Sequence, residues 1–277
     1  MLIGDKLFYA AVAALALWVS AWGAFAPAQM DQALPWMVPP LHARFLSAIY
    51  LSGTCLMLGA MLARRWATIR VIVPLIGVWT GGMFLVSLLH LSQFDFSRRQ
   101  TWIWFGSYLV YAVLAAAISW RMRQDHEVSG GPALPSWLRV YLTGQGILLT
   151  LLATGLFCFP AVIAGVWPWS ITPLLAQLYG GPLLSYGLAS LHAARQKAHS
   201  EVRLFLVGTG LLAAGVLVAS ALHSALFKPD NPSTWIWLIG FGLMLLAQGL
   251  GLLADILRRD KAASAGSPSA PSPGAGP

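Results

Sequence analysis

Ser87-Leu-Leu-His90-Leu-Ser-Gln-Phe94, followed seven residues later by Thr101-Trp102-Ile103-Trp104, occurs twice in this chain. The second copy, Ser220-Ala-Leu-His223-Ser-Ala-Leu-Phe227 with Thr234-Trp235-Ile236-Trp237, stands 133 residues downstream without insertion or deletion between the landmarks. The same offset pairs Pro27 with Pro160, Pro35-Trp36 with Pro168-Trp169, Pro40 with Pro173, Ser52 with Ser185, Arg70 with Arg203, Gly77 with Gly210 and Gly82 with Gly215. About twenty of the seventy positions from 35 to 104 match their counterparts, and the matches fall on residues with geometric roles rather than on interchangeable Leu and Ala. The pattern predicts a tandem duplication.

Composition sets the medium. The chain is 58% hydrophobic and 9% charged, whereas about a quarter of the residues of a soluble domain are charged. Thirteen Trp suit a chain that meets the headgroup boundary, where an indole keeps its ring apolar and its N–H wet. A net charge of +8 would suggest an anionic partner in a soluble protein; here the basic residues have a topological reading, and nucleic acid is not expected. Cys55 and Cys158 stand in apolar stretches without metal-ligand spacing and are read as small buried hydrophobes.

Eight apolar stretches approach the ~20 residues that cross a hydrocarbon core: Leu7 to Phe25, Ala43 to Leu62, Val71 to Leu91, Trp102 to Trp120, Val140 to Phe159, Leu174 to Ala194, Leu204 to Phe227, and Trp235 to Leu257. The first is too long for a usual signal-peptide core and is read as a retained span. Backbone groups cannot go unpaired in lipid, and no stretch alternates as barrel strands do, so an all-α integral membrane protein is expected. Four spans per copy is an even number. The copies therefore enter the membrane the same way up, as two tandem parallel four-helix repeats related by a pseudo-twofold axis along the membrane normal. Residues 1–122 form repeat 1, 123–136 a cytoplasmic linker, 137–261 repeat 2, and 262–277 a disordered cytoplasmic tail of Ala, Ser, Gly and Pro.

Thirteen of the seventeen Lys and Arg fall on one side: Lys6, Arg64, Arg65, Arg70, Arg121, Arg123, Arg139, Arg195, Lys197, Arg203, Arg258, Arg259 and Lys261. Arg44, Arg98, Arg99 and Lys228 fall on the other. The asymmetry places both termini in the cytoplasm and the chain in the plasma (inner) membrane. Arg70 and Arg203 are read as anchors on the basic side.

The duplicated landmarks collect on the opposite, extracytoplasmic side. Helical spacing puts Ser87, His90 and Phe94 on one stripe, where the hydroxyl would bond the imidazole and fix its tautomer; Ser220, His223 and Phe227 repeat it. Thr101 and Thr234 are expected to cap the helices that Trp102, Trp104, Trp235 and Trp237 open. The four paired glycines are expected at close helix crossings. The acids fall in loops and termini, with Asp255 near the end of the last span, so no carboxylate is expected at the midplane, where coupled transporters hold charge.

The chain has no phosphate-binding Gly-rich loop, no His-Glu-x-x-His and no hydrolase elbow, and is read as non-catalytic. The favoured expectation is a binding or accessory subunit with a hydrophobic-ligand or partner-docking site at the extracytoplasmic face between the repeats. Ser87, His90, Phe94, Trp102, Trp104, Ser220, His223, Phe227, Trp235 and Trp237 are its candidate residues. Membrane lipid surrounds it, and a small hydrophobic ligand or a membrane protein is the expected partner. A permease with a central pathway between repeats is the alternative. A second is a haem or pigment protein in which His90 and His223 ligate the metal, and a lesser one is an enzyme using His90 as a base on a lipid-linked substrate. The sequence specifies no cofactor.

Overall fold

The computed structural model describes residues 2–36, 38–125, 127 and 130–265, with side chains as far as Asp260. The expected disordered tail lies almost wholly outside the described residues, and so does part of the linker. The described chain is built from α1 (Ile3–Phe25), α2 (Pro40–Leu62), α3 (Ile72–Leu89), α4 (Arg99–Arg121), α5 (Ser136–Cys158), α6 (Pro160–Val166), α7 (Pro173–Ala194), α8 (Arg203–Leu222) and α9 (Pro232–Ala265). Seven of these helices are long and apolar enough to cross a bilayer. The protein is a helical membrane protein.

The exception among the long helices is α7. It has 22 residues, and its Gln, Gly, Ser and Tyr content lowers its hydropathy below that of the other seven. Those residues face protein: Tyr179, Gly180, Gly181, Ser185, Tyr186, Gly187 and Ser190 are all buried. A helix surrounded by other helices needs small side chains for close approach more than it needs a lipid-facing surface.

Helix boundaries recur at the spacing of the sequence landmarks. α1 and α5 begin and end 133 residues apart (Ile3 to Ser136, Phe25 to Cys158). α2 and α7 share their starting proline, α3 and α8 their last leucine, and the 3-10 turns Leu91–Gln93 and Ser224–Leu226 follow in step. Prolines open α2, α6, α7 and α9, where the missing N–H costs nothing and the fixed φ suits a first turn.

Packing exchanges the central helices between the two halves of the chain. α1 lies along α2, α5 along α7, α3 against α4 and α8 against α9. α2 then packs on α8 and α7 on α3, whereas the consecutive α2 and α3 barely touch. Glycine permits these crossings. A Cβ built at Gly82 would lie 3.4 Å from the Gly181 Cα, and one at Gly215 would lie 2.7 Å from the Ala48 Cβ. Gly77 faces Ala115 and Gly210 faces Gln248 in the same manner, at 3.2 and 3.6 Å from the neighbouring Cβ.

The helices alternate in direction, so the bundle has a histidine end, where α3 and α8 finish beside the starts of α7 and α2, and a basic end. Linker residues strap the basic end: the Leu134 N–H donates to the Lys197 carbonyl at 3.0 Å and the His199 N–H to the Pro132 carbonyl at 2.9 Å.

Four local expectations need correction. α3 stops at Leu89, with His90 as its C-cap at φ −121°, ψ 32°, so the helical stripe of Ser87, His90 and Phe94 does not form. Thr101 lies inside the first turn of α4, with Arg98 as N-cap; its hydroxyl turns back to the Asp95 carbonyl at 2.6 Å. Thr234 likewise sits inside α9, and Asn231 does the capping through its amide oxygen, 3.0 Å from the Ser233 N–H. Cys158, at the end of α5, is exposed, and Cys55 is half-buried; α5 presents much of its surface outward, and a thiol is apolar enough to stand there.

Candidate functional site

The duplicated Ser and Trp form a matched joint. Ser87 Oγ donates to the Met83 carbonyl at 2.8 Å and accepts from Trp104 Nε1 at 2.8 Å. Ser220 Oγ donates to the Val216 carbonyl at 2.8 Å and accepts from Trp237 Nε1 at 3.1 Å. Each hydroxyl thus satisfies a helical carbonyl and an indole that burial would otherwise leave unpaired. Each Trp then meets the Trp of its Pro-Trp element edge-on: Trp36 and Trp104 centroids are 4.7 Å apart at 83°, those of Trp169 and Trp237 4.8 Å apart at 83°. Phe94 and Phe227, both buried, close these stacks at 5.4 Å from Trp36 and 5.2 Å from Trp169.

Trp102 and Trp235 point away. They are 63% and 52% exposed, and their indoles donate to the Phe96 carbonyl at 3.0 Å and the Pro229 carbonyl at 2.9 Å. They occupy the surface position of an interfacial belt. Trp104 is buried in the interior.

The histidines cross to the other half. His90 Nε2 lies 2.5 Å from Gln177 Oε1 at the start of α7, and His223 Nε2 meets Arg44 Nη1 at the start of α2. Gln177 stands where Arg44 stands, 133 residues on. Burial, aided by the Arg44 charge, holds the His223 imidazole below its ordinary pKa. The hydroxyl partner expected for His90 is occupied by Trp104. In each ring the nitrogen that a shared metal would use is engaged by a side chain of the opposite half.

Between the halves at this end lies a cavity of about 560 Å³. Its walls come from the start of α2 (Pro39, Leu41, His42), the segment after α6 (Trp167, Pro168, Trp169, Ser170), and the turn before α9 (Lys228, Asn231). His42 Nδ1 is 2.6 Å from the Tyr179 hydroxyl, which orients the ring beneath Trp169 at 6.3 Å. The cavity offers an ammonium, an amide, an imidazole and two indole walls. None of the ten candidate residues lines it. Its Lys228 and Pro168-Trp169 were visible in the sequence; His42 and Tyr179, unmatched in the other half, carried no signal there.

The crossings of α2 with α8 and of α3 with α7 are closed by contact between small residues, so no channel follows the central interface. At the basic end the ion pairs are inward. Asp5, buried in the first turn of α1, meets Arg121 at 2.6 Å; Arg70 lies 3.7 Å from Glu201; and Asp255 lies 3.0 Å from Arg259 and 3.4 Å from the fully buried His199. Burial dominates the His199 imidazole and lowers its pKa against the opposing pull of Asp255. Arg70 and Arg203 therefore pair with buried acids, the latter with Asp255 at 3.9 Å, in addition to marking the basic side. Among the described residues no three His, Cys, Asp or Glu side chains converge as metal ligands.

No family model matches the chain, and neither the curated proteins nor the solved structures provide a match.

Proposed function

We propose that the chain is a tandem duplication of a four-helix unit, eight spans in all, whose halves insert the same way up with the basic end in the cytoplasm. We further propose that it works as a non-catalytic binding protein, holding a small amphipathic molecule at the histidine end between the repeats. Support for the duplication comes from the shared helix boundaries, the paired Ser–Trp joints and the reciprocal histidine contacts. With α7 counted as a span, both repeats start on the basic side, and the thirteen cations there favour the cytoplasm.

One observation carries the binding reading: the cavity of about 560 Å³ is assembled from both halves and combines indole walls with Lys228, Asn231 and His42. That size lies within the ~300–1,000 Å³ range of small-molecule sites. An apolar body would lie against Trp167 and Trp169, and an acceptor group would face Lys228 and Asn231. The experiment is native mass spectrometry of the protein released from mild detergent. A co-purifying molecule that is lost in Trp169→Ala and in Lys228→Ala, with both variants folded, is the expected result. Retention in both variants, or wild-type protein with nothing bound under conditions that preserve lipid adducts, would refute this site.

A further inference from the structure

A second crevice lies in the first half, away from the His42 cavity. α1 packs along α2, and α4 packs along α3, so α1 and α4 face one another across a gap with few direct contacts. At the basic end the gap is shut by the Asp5–Arg121 pair and by Phe8 against Tyr111, 6.0 Å between centroids. Towards the histidine end it opens. Two cavities, of about 260 and 40 Å³, share Leu15, Tyr50, Ser107 and Tyr108 and form one blind passage running from the rim down to Trp79.

Polar groups stand at both levels. Arg99, Gln100 and Gln32 line the outer cavity, and none has a hydrogen-bond or ion-pair partner among the described residues. No acid lines either cavity. Deeper in, the Tyr50 and Tyr108 hydroxyls hydrogen-bond each other while buried. One hydroxyl donates to the other, which leaves a proton and lone pairs to offer to a guest.

Divergence between the halves concentrates here. At the offset of 133, Tyr50 becomes Leu183, Tyr108 becomes Phe241, Arg99 becomes Pro232, Gln100 becomes Ser233 and Gln32 becomes Gly165. The corresponding space beside Leu183 and Phe241 is apolar and holds about 40 Å³. Parts that assemble the fold, namely the Ser–Trp joints, the Pro-Trp elements and the crossing glycines, recur in both halves, while one half alone has a wet mouth and a hydroxyl pair in this passage. Packing does not require that difference, because the second half packs without it.

We propose that this crevice binds an amphiphile with one anionic head and one chain: the phosphate or carboxylate lies at Arg99 with Gln32 and Gln100, and the upper chain enters past Tyr50 and Tyr108. A guanidinium without an acid partner selects the charge. A passage of about 260 and 40 Å³ in two steps takes one chain and rejects two.

The test uses the full chain in nanodiscs of zwitterionic lipid, titrated with oleoyl lysophosphatidate, oleoyl lysophosphatidylcholine and inorganic phosphate, with binding read by native mass spectrometry. Saturable binding of lysophosphatidate, about tenfold tighter than that of lysophosphatidylcholine and about tenfold weakened by Arg99→Gln, is the expected result. Inorganic phosphate should not compete; full competition would assign the site to a free anion and overturn the chain-binding claim. Equal binding of the two lysolipids, or wild-type affinity in Arg99→Gln, would also overturn it. Arg99 is exposed, so that variant folds even if the throat-filling Leu15→Trp does not. Lys228→Ala should leave this binding unchanged, which separates its outcome from that of the His42 cavity.

Discussion

His90 Nε2 lies 2.5 Å from Gln177 Oε1, and the amide orientation is fixed because Gln177 Nε2 donates to the Phe157 carbonyl at 2.9 Å. His90 must therefore donate through Nε2. Its counterpart has the opposite polarity: Arg44 can only donate, so His223 Nε2 accepts and the ring is neutral, with its proton on Nδ1. One position in the repeat thus holds the halves together by two different tautomers.

Acid should release one of these contacts and spare the other. Protonating His223 removes its acceptor and sets a second cation beside Arg44, consistent with its lowered pKa. A folded-state pKa below the unfolded value means that stability is complete above about pH 6.5 and is lost as pH falls below it towards the lowered value. Thermal midpoints in detergent from pH 8 to pH 5 should fall, and His223→Gln, which still accepts from Arg44 but cannot titrate, should flatten the fall. An unchanged slope in that variant would contradict this reading of the contact.

The basic end carries a second acid-sensitive group. His199 is fully buried and is held neutral by burial, with Asp255, Arg203 and Arg259 around it, so the sign is the same: stability is lost as pH drops below the ordinary imidazole value. Trp66 fills the matching position of the first half, also buried. His199→Phe should fold, keep the Arg259–Asp255 pair and remove the part of the acid slope that remains in His223→Gln. Full retention of that slope in the double variant would point to another group.

Ser87→Ala and Ser220→Ala should differ in size. Each leaves an indole N–H without its acceptor, which costs about 1–3 kcal/mol when the group is buried. Trp104 is 6% exposed, whereas Trp237 is only partly buried. Unfolding followed by Trp fluorescence should show the larger loss for Ser87→Ala. Equal losses would mean that water already reaches both indoles.

The crossing glycines give a steric contrast. A methyl at Gly215 would meet the Ala48 Cβ at 2.7 Å, whereas one at Gly82 would meet the Gly181 Cα at 3.4 Å. Gly215→Ala should cost about 1–3 kcal/mol through overpacking, and Gly82→Ala should be close to neutral. The measurement is the shift in thermal midpoint, and the reverse order would place the crossing elsewhere along α2 and α8.

Much of this architecture is legible in the sequence because hydropathy and proline are local signals. Pro40 and Pro173 open α2 and α7 as their spacing suggests, and the run to Phe25 ends α1 where the apolar stretch ends. The glycine crossings were legible as pairs, although their partners were not. What stayed hidden depends on contacts across the chain. Gln177 and Arg44 resemble each other in neither charge nor size, so nothing in the sequence marks them as one position facing two histidines. Ser87 was read with its helical neighbour His90, but it serves Trp104, seventeen residues on, because α3 ends between the serine and the histidine. His42 and Tyr179 lie in the first turns of two central helices and come together only when those helices are exchanged between halves.

Cross-linking of cysteine pairs at the histidine end tests that exchange most directly. In a background with Cys55 and Cys158 replaced by Ala, His90→Cys/Gln177→Cys and Arg44→Cys/His223→Cys should each be bridged by a short bismaleimide in native membranes, as read from linked peptides by mass spectrometry. The within-half pair Arg44→Cys/His90→Cys should stay unlinked. Linking of that pair, with neither cross-half pair bridged, would contradict a bundle in which each half supplies the partner for the other's histidine.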